Sequence, residues 1–225
     1  DAAPDAFVCR VCGHATLSAP PERCPTCGAW PATFRHFRGI FNVDNPDPLA
    51  SLDLLPPVAP SKIVAVGLNY ADHVAESTSP RALPDAPIIF LKPPSSLLGS
   101  GGTIVLPPGA DPVHEEGELA VVIGREVRNA SPDDARAAVL GYTCANDVSA
   151  RDWQFLEQNG QWIRGKSFDT FCPLGPFVET DVDPSSMAIE LRLNGEVRQS
   201  SNTANMAFGP AELLSFVSRI MTMLP

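Results

Sequence analysis

The sequence predicts a mixed α+β fold dominated by β-structure, preceded by a small metal-held module. Three observations lead there. The 225 residues include 24 prolines, which interrupt long helices and set strand boundaries. Between them lie many apolar runs of strand length and few stretches with a helical period. Two Cys-x-x-Cys pairs sit within the first thirty residues, a spacing that suits a tetrahedral metal site. The expected boundaries are residues 1–38 for the module, 39–60 for a proline-rich connecting arm and 61–225 for the main domain.

In the module, CRVCG and CPTCG leave eleven residues between Cys12 and Cys24 and place Cys9, Cys12, Cys24 and Cys27 on two tight turns. A glycine after each second cysteine, Gly13 and Gly28, allows backbone N–H groups to turn toward the sulfurs. Four thiolates make a closed site for zinc or iron, and thiolate chemistry alone does not choose between them. In so short a segment the metal supplies most of the folding free energy, about 10–16 kcal/mol for structural zinc. With four cysteines filling that site, His14 reads as a surface residue. His36 and His114 carry no assigned role.

The main domain opens with SKIVAVG, a strand over Ile63–Val66, then NYADHVAES, a short helix with Asn69 as its cap. STSPRALPDAP is a loop, and residues 76–87 are placed to act as a lid. PIIFLK and TIVLPP read as strands. SPDDARAAVLGY has Ser131 as N-cap, Pro132 in the first helical position and acids in the first turn, which predicts a helix. MAIELRLNGEVRQS alternates around Asn194-Gly195, a hairpin signal. GPAELLSFVSRIMTM predicts a helix that buries Leu213, Leu214, Val217, Ile220 and Met221.

The stretch PVHEEGELAVVIGREV feeds acids into an apolar strand. In an extended chain Glu116 and Glu118 share one face and Glu115 the other, with the Cα atoms of the pair roughly 6.6 Å apart. Two such carboxylates repel and raise each other's pKa. A divalent cation removes that penalty, and hard oxygen ligands suit Mg²⁺, Mn²⁺ or Ca²⁺. A solvated strand entrance is the competing reading. Asp147, closing the strand GYTCAND, adds a third acid in a comparable place; Arg151, Gln154 and Lys166 follow it.

Two resemblances extend this reading. F-x-C-x-x-C-G, P-x-x-C-P-x-C-G and the aromatics Trp30 and Phe34 resemble the rubredoxin-like domain appended to rubrerythrins. NYADHVAE, FLKP, HEEGELAVVIG, ANDVSARDWQ, GKSFDTFCPLGPFV and LNGEVRQSSNTANM resemble, in that order, the fumarylacetoacetate hydrolase family. That second likeness implies a β-sandwich or roll, usually a homodimer, and a Mg²⁺ or Mn²⁺ site formed by Glu116, Glu118 and Asp147. It implies a catalytic His73–Glu76 pair, which the i, i+3 spacing also favours. It implies that Lys166 stabilises enolate charge, and that Arg151, Gln154 and Tyr70 contact substrate. Members of that family continue past the last helix into further strands, so the resemblance implies more chain beyond Pro225.

The chemistry so implied is metal-dependent cleavage of a C–C bond in a 2-oxo or 1,3-diketo acid, an acylpyruvate hydrolysis in the breakdown of aromatic compounds. The alternative within the same site is decarboxylation or keto–enol isomerisation of an oxaloacetate-like acid or a 2-hydroxy-dienedioate. An alternative of another class, electron transfer by iron at the four cysteines, is disfavoured because no G-x-G-x-x-G cofactor motif follows the module. A net charge of −10 argues against nucleic acid as a partner, and an anionic substrate then needs local cations. No apolar run is long enough to cross a membrane and no leader is evident. Cysteine usage points to a reducing cytoplasm.

Overall fold

The computed structural model of the chain describes residues 54–74, 83–156, 160 and 162–225, with the backbone of residues 75–76 and of three N-terminal strands. Those strands, β1 (Ala6–Cys9), β2 (Ala15–Leu17) and β3 (Phe34–Phe37), form an antiparallel sheet in the order β2-β1-β3. Cys9 closes β1. Cys12, Cys24, Cys27, most of the connecting arm and the centre of the expected lid, residues 77–82, lie outside the described residues.

In the main domain, β4 (Ile63–Gly67) leads into helix α1 (Ala71–Glu76) and pairs antiparallel with β5 (Ile88–Lys92). Next come β6 (Leu97–Leu98), β7 (Val113–His114) and β8 (Gly117–Ile123), then α2 (Pro132–Ala138) and β9 (Val139–Asn146). β10 (Ser149–Ala150), α3 (Arg151–Phe155) and α4 (Ile163–Lys166) precede β11 (Cys172–Glu179). A hairpin of β12 (Ala188–Leu193) and β13 (Glu196–Asn202) and helix α5 (Pro210–Ile220) complete the described chain. Among the described residues the largest sheet has four strands in the order β6-β11-β9-β8, with β8 at its edge. The expected mixed, strand-rich fold is present, as one such sheet flanked by two-stranded ribbons.

Several local expectations hold for the reasons given. The Ser131 hydroxyl accepts the Asp134 N–H at 3.2 Å and caps α2. Asn194 and Gly195 take positive φ at the tip of the hairpin, as its two-residue turn requires. Helices α2 and α5 pack through Ala135, Ala138, Leu214 and Val217 in one apolar cluster with Val127 and Met223.

Four expectations are corrected. TIVLPP is irregular rather than a strand; Pro107 and Pro108 lack ladder donors, and the Val105 N–H donates to the Thr170 hydroxyl instead. Asn69 does not cap α1, because its side chain both accepts from and donates to the backbone of Phe208, at 3.0 Å each way. Ile220 is exposed, and Ser215 and Ser218 take the buried face of α5. Their hydroxyls bind the Ala130 backbone, and their small size lets α5 lie close to the alanines of α2. Finally, the acidic strand is broken at Glu115–Glu116 between β7 and β8, so Glu115 is not simply turned to the far face.

Candidate active site

The break before β8, the end of β9 and the short helices α3 and α4 meet around a cavity of about 290 Å³. Its lining includes Tyr70, His73, Glu116, Glu118, Asp147, Arg151, Gln154 and Lys166, so eight of the nine expected main-domain site residues come together. The ninth, Glu76, is the last residue of α1, and its side chain lies outside the described residues. Phe90 and Trp162, their rings 5.7 Å apart edge to face, also line this cavity. A second, mainly apolar cavity of about 470 Å³ adjoins it behind Glu118 and Asp147.

Each charged group is placed by backbone that the fold fixes. The Asp147 N–H donates to the Glu116 carbonyl at 2.8 Å, and the Glu116 N–H donates to Asn146 Oδ1 at 2.9 Å. The two acidic segments are therefore tied together across the β8–β9 ladder, in which Glu118 stands opposite Ala145. Lys166 closes α4, which packs against the start of α3 because Gly165 has no side chain. A Cβ there would lie 2.7 Å from both the Ala150 carbonyl oxygen and the Gln154 nitrogen.

The Lys166 ammonium is 2 % exposed and lies between two carboxylates, 2.9 Å from Glu116 Oε2 and 2.7 Å from Asp147 Oδ2. It also donates to Ser149 Oγ at 2.5 Å. Arg151 Nη2 reaches Glu116 Oε1 at 2.5 Å, while its other nitrogens donate to Gln154 Oε1 and His114 Nδ1. Burial alone would raise the Glu116 pKa, but Lys166 and Arg151 more than offset it and take the carboxyl down to about 2. Glu118 has no such cation beside it among the described ion pairs. Burial, with repulsion from Glu116 and Asp147, pushes its carboxyl up to about 8 despite the opposing pull of Lys166. Among the described residues the Tyr70 hydroxyl is buried without a hydrogen-bond partner, and burial followed by the Glu118 charge raises its pKa.

Three participants were not assigned from sequence. Lys92, also 2 % exposed, donates to Asp147 Oδ1 at 2.7 Å and to the Lys166 carbonyl at 2.5 Å. Burial lowers its pKa, and Asp147 opposes that. The alternation of PIIFLK, with Phe90 and Lys92 buried and Leu91 exposed, was a usable signal, since an inward lysine needs an acid. Ser149 and His114 left no comparable trace. Their roles arise from the pairing of β10 with β7, which sets Ser149 opposite His114.

Among the described residues, no three His, Cys, Asp or Glu side chains converge on one point as preformed metal ligands. This departs from the expected triad grip, and the physical reason is visible: lysine and arginine already satisfy Glu116 and Asp147. The donor set still suits a hard divalent cation, being three carboxylates of which one, Glu118, has its pKa raised to about 8 by burial and by repulsion from the other two. A pH dependence follows. The Glu118 pKa rises from 4.5 to about 8 on folding, so the folded state holds a proton that the unfolded chain has lost. Its stabilisation is complete below pH 4.5 and disappears as pH rises to about 8. Metal-free protein should lose thermal stability across that window. Glu118→Gln should flatten the profile, as melting curves at stepped pH would show; an unchanged slope in the variant would count against this assignment.

Comparison with known proteins places the chain in a family. Residues 62–225 match the fumarylacetoacetate (FAA) hydrolase C-terminal family. The chain belongs to the fumarylacetoacetate hydrolase family. Residues 7–35 match the rubrerythrin, rubredoxin-like domain. The mitochondrial oxaloacetate tautomerase FAHD2A of Bos taurus is 48% identical over 182 residues, covering 79% of this chain and 57% of that relative. The solved 5-carboxymethyl-2-hydroxymuconate delta-isomerase of Mycobacterium smegmatis has 39% identity and a TM-score of 0.73, over 99% of this chain and 84% of that one. The 2-hydroxyhepta-2,4-diene-1,7-dioate isomerase of Mycobacterium marinum has 33% identity and a TM-score of 0.72, covering 100% and 84%. This member of the family is therefore an enzyme of its isomerase and hydrolase group. Among the described residues no helix is long and apolar enough to cross a membrane.

Proposed function

We propose that the chain is a divalent-metal-dependent isomerase of small dicarboxylic 2-oxo acids. It interconverts keto and enol forms of an oxaloacetate-like acid or a 2-hydroxy-dienedioate, and decarboxylation is the neighbouring outcome at the same site. The observation that carries this is the buried Lys166 ammonium held between Glu116 and Asp147 on the cavity wall. The names of the similar isomerases and of the tautomerase favour this over hydrolysis of an acylpyruvate, which stood first on sequence grounds.

Charge supports the substrate class. Arg151, Lys166 and Arg198 line the cavity of a protein whose net charge is −10, and they are the local cations that an anionic acid needs. Glu116, Glu118 and Asp147 are the residues that would hold Mg²⁺ or Mn²⁺, which when bound supplies Lewis-acid polarisation of the 2-oxo carbonyl. Arg151 and Gln154 orient the substrate's carboxylate. His73 takes the proton from C3, the C–H electron pair forms the C2–C3 double bond, and Lys166 stabilises the charge that develops on the C2 oxygen. Protonation of that oxygen completes the enol without any co-reactant. The Tyr70 hydroxyl, which has no partner among the described residues, donates to a substrate oxygen. A homodimer, and iron or zinc at the four N-terminal cysteines, belong to the same reading.

The test is a turnover screen with Mg²⁺ or Mn²⁺ over oxaloacetate, 2-hydroxy-dienedioates and acylpyruvates, following loss or gain of enol absorbance. Turnover of acylpyruvates alone would return the assignment to hydrolysis. His73→Asn should lower kcat by about 10²–10⁴ while leaving metal affinity unchanged; equal kcat in wild type and variant would remove His73 from the mechanism.

A further inference from the structure

The two glutamates of the cluster flank Gly117, and β8 is the edge strand of its sheet. Its inner edge pairs with β9, Gly117 standing opposite Asn146. On the outer side, the Gln199 side chain takes up both backbone groups of Gly117. The Gly117 N–H donates to Gln199 Oε1 at 2.8 Å, and Gln199 Nε2 donates to the Gly117 carbonyl at 2.6 Å. One side-chain amide thus does to Gly117 what the peptide of a neighbouring strand would do. The approach is close: a Cβ on Gly117 would sit 3.3 Å from Leu191 Cβ and 3.4 Å from Gln199 Oε1.

We propose that Gln199 is a positioning residue for the carboxylate pair. With both groups of Gly117 held, the peptide planes on either side cannot rotate independently, and the aim of Glu116 and Glu118 into the cavity is set. The inference rests on the proposed reading of these carboxylates as cation ligands. β13 makes a separate contact two residues on, where the Ser201 hydroxyl donates to Asp72 Oδ2 at 2.5 Å and holds α1. Ser201 therefore serves as a comparator on the same strand, its hydroxyl bound to α1 rather than to Gly117.

The experiment measures Mn²⁺ binding by the full chain without substrate, from the electron paramagnetic resonance of free Mn²⁺, beside hydrogen exchange at the Gly117 amide. Gln199→Leu should weaken Mn²⁺ binding at least about tenfold and speed Gly117 exchange by a similar factor. Ser201→Ala should leave both at wild-type values. Gln199→Asn, one methylene too short to span both groups, should behave like Gln199→Leu and serves if the leucine variant does not fold. Wild-type Mn²⁺ affinity in either folded variant overturns the proposal, as does an equal loss in Ser201→Ala or a loss of fold in both Gln199 variants. Wild-type protein that binds no Mn²⁺ overturns the cation reading itself; the Gly117 exchange rates then still decide whether Gln199 holds the strand.

Discussion

Glu118→Ala is expected to lose at least about 10³ in kcat/KM on whichever oxo acid proves to be the substrate, the loss coming from metal binding and carbonyl polarisation together. Glu118 is the carboxylate without a cation beside it among the described ion pairs, and its proton is the one a metal would displace. Affinity for Mn²⁺ should therefore rise with pH toward about 8 in the wild type. In Glu118→Ala the affinity should be low at every pH. Because the substitution removes a buried group with an unfavourable charge, metal-free Glu118→Ala should be at least as stable as wild type above neutral pH. Loss of activity with retained stability would separate a site defect from misfolding. An active Glu118→Ala enzyme would remove the carboxylate cluster from the chemistry.

Lys166→Met carries the second large effect, on two observables at once. The ammonium satisfies Glu116, Asp147 and Ser149 from a fully enclosed position. Removing it leaves Glu116 with Arg151 and Asp147 with Lys92, so the loss of stability should be measurable but smaller than the about 3–5 kcal/mol of a buried ion left with no partner. Added Mg²⁺ should restore part of that stability by taking the vacated place between the acids, raising Tm more in Lys166→Met than in wild type. Turnover should nevertheless stay at least about 10² below wild type, since the enolate oxygen has lost its preorganised partner. Full activity with restored stability would assign Lys166 a purely structural role.

The candidate site is legible in the sequence to an uneven degree. The sequence points to Glu116, Glu118, Asp147, Arg151, Gln154 and Lys166, and they line one cavity. They were readable because each is a charged or polar residue at the end of an apolar segment, and because their order along the chain resembles a family pattern. Lys92 sat in the quoted FLKP motif without a role. Alternation reveals which way a strand residue points, but it does not reveal which acid waits opposite. Gln199 was invisible for the same reason, its partner being a backbone 82 residues away. The broken strand at Glu115–Glu116 also escaped, since period-two reading assumes an unbroken ladder. Glu115 ends at the cavity rim, 3.6 Å from Arg198. Helix α5 was found with its boundaries nearly correct, yet its buried face was misjudged at Ile220 because two serines found backbone partners in the interior.

The tight seat of α4 against α3 changes how mutational maps of this protein should be interpreted. Position 165 bears no functional group, yet even an alanine there would push the neighbouring ammonium out of register with its acids. In a saturation screen scored on turnover, that site would be as intolerant as a proton carrier. Assigning chemistry by intolerance alone would credit a reactive role to a residue that has nothing to react with.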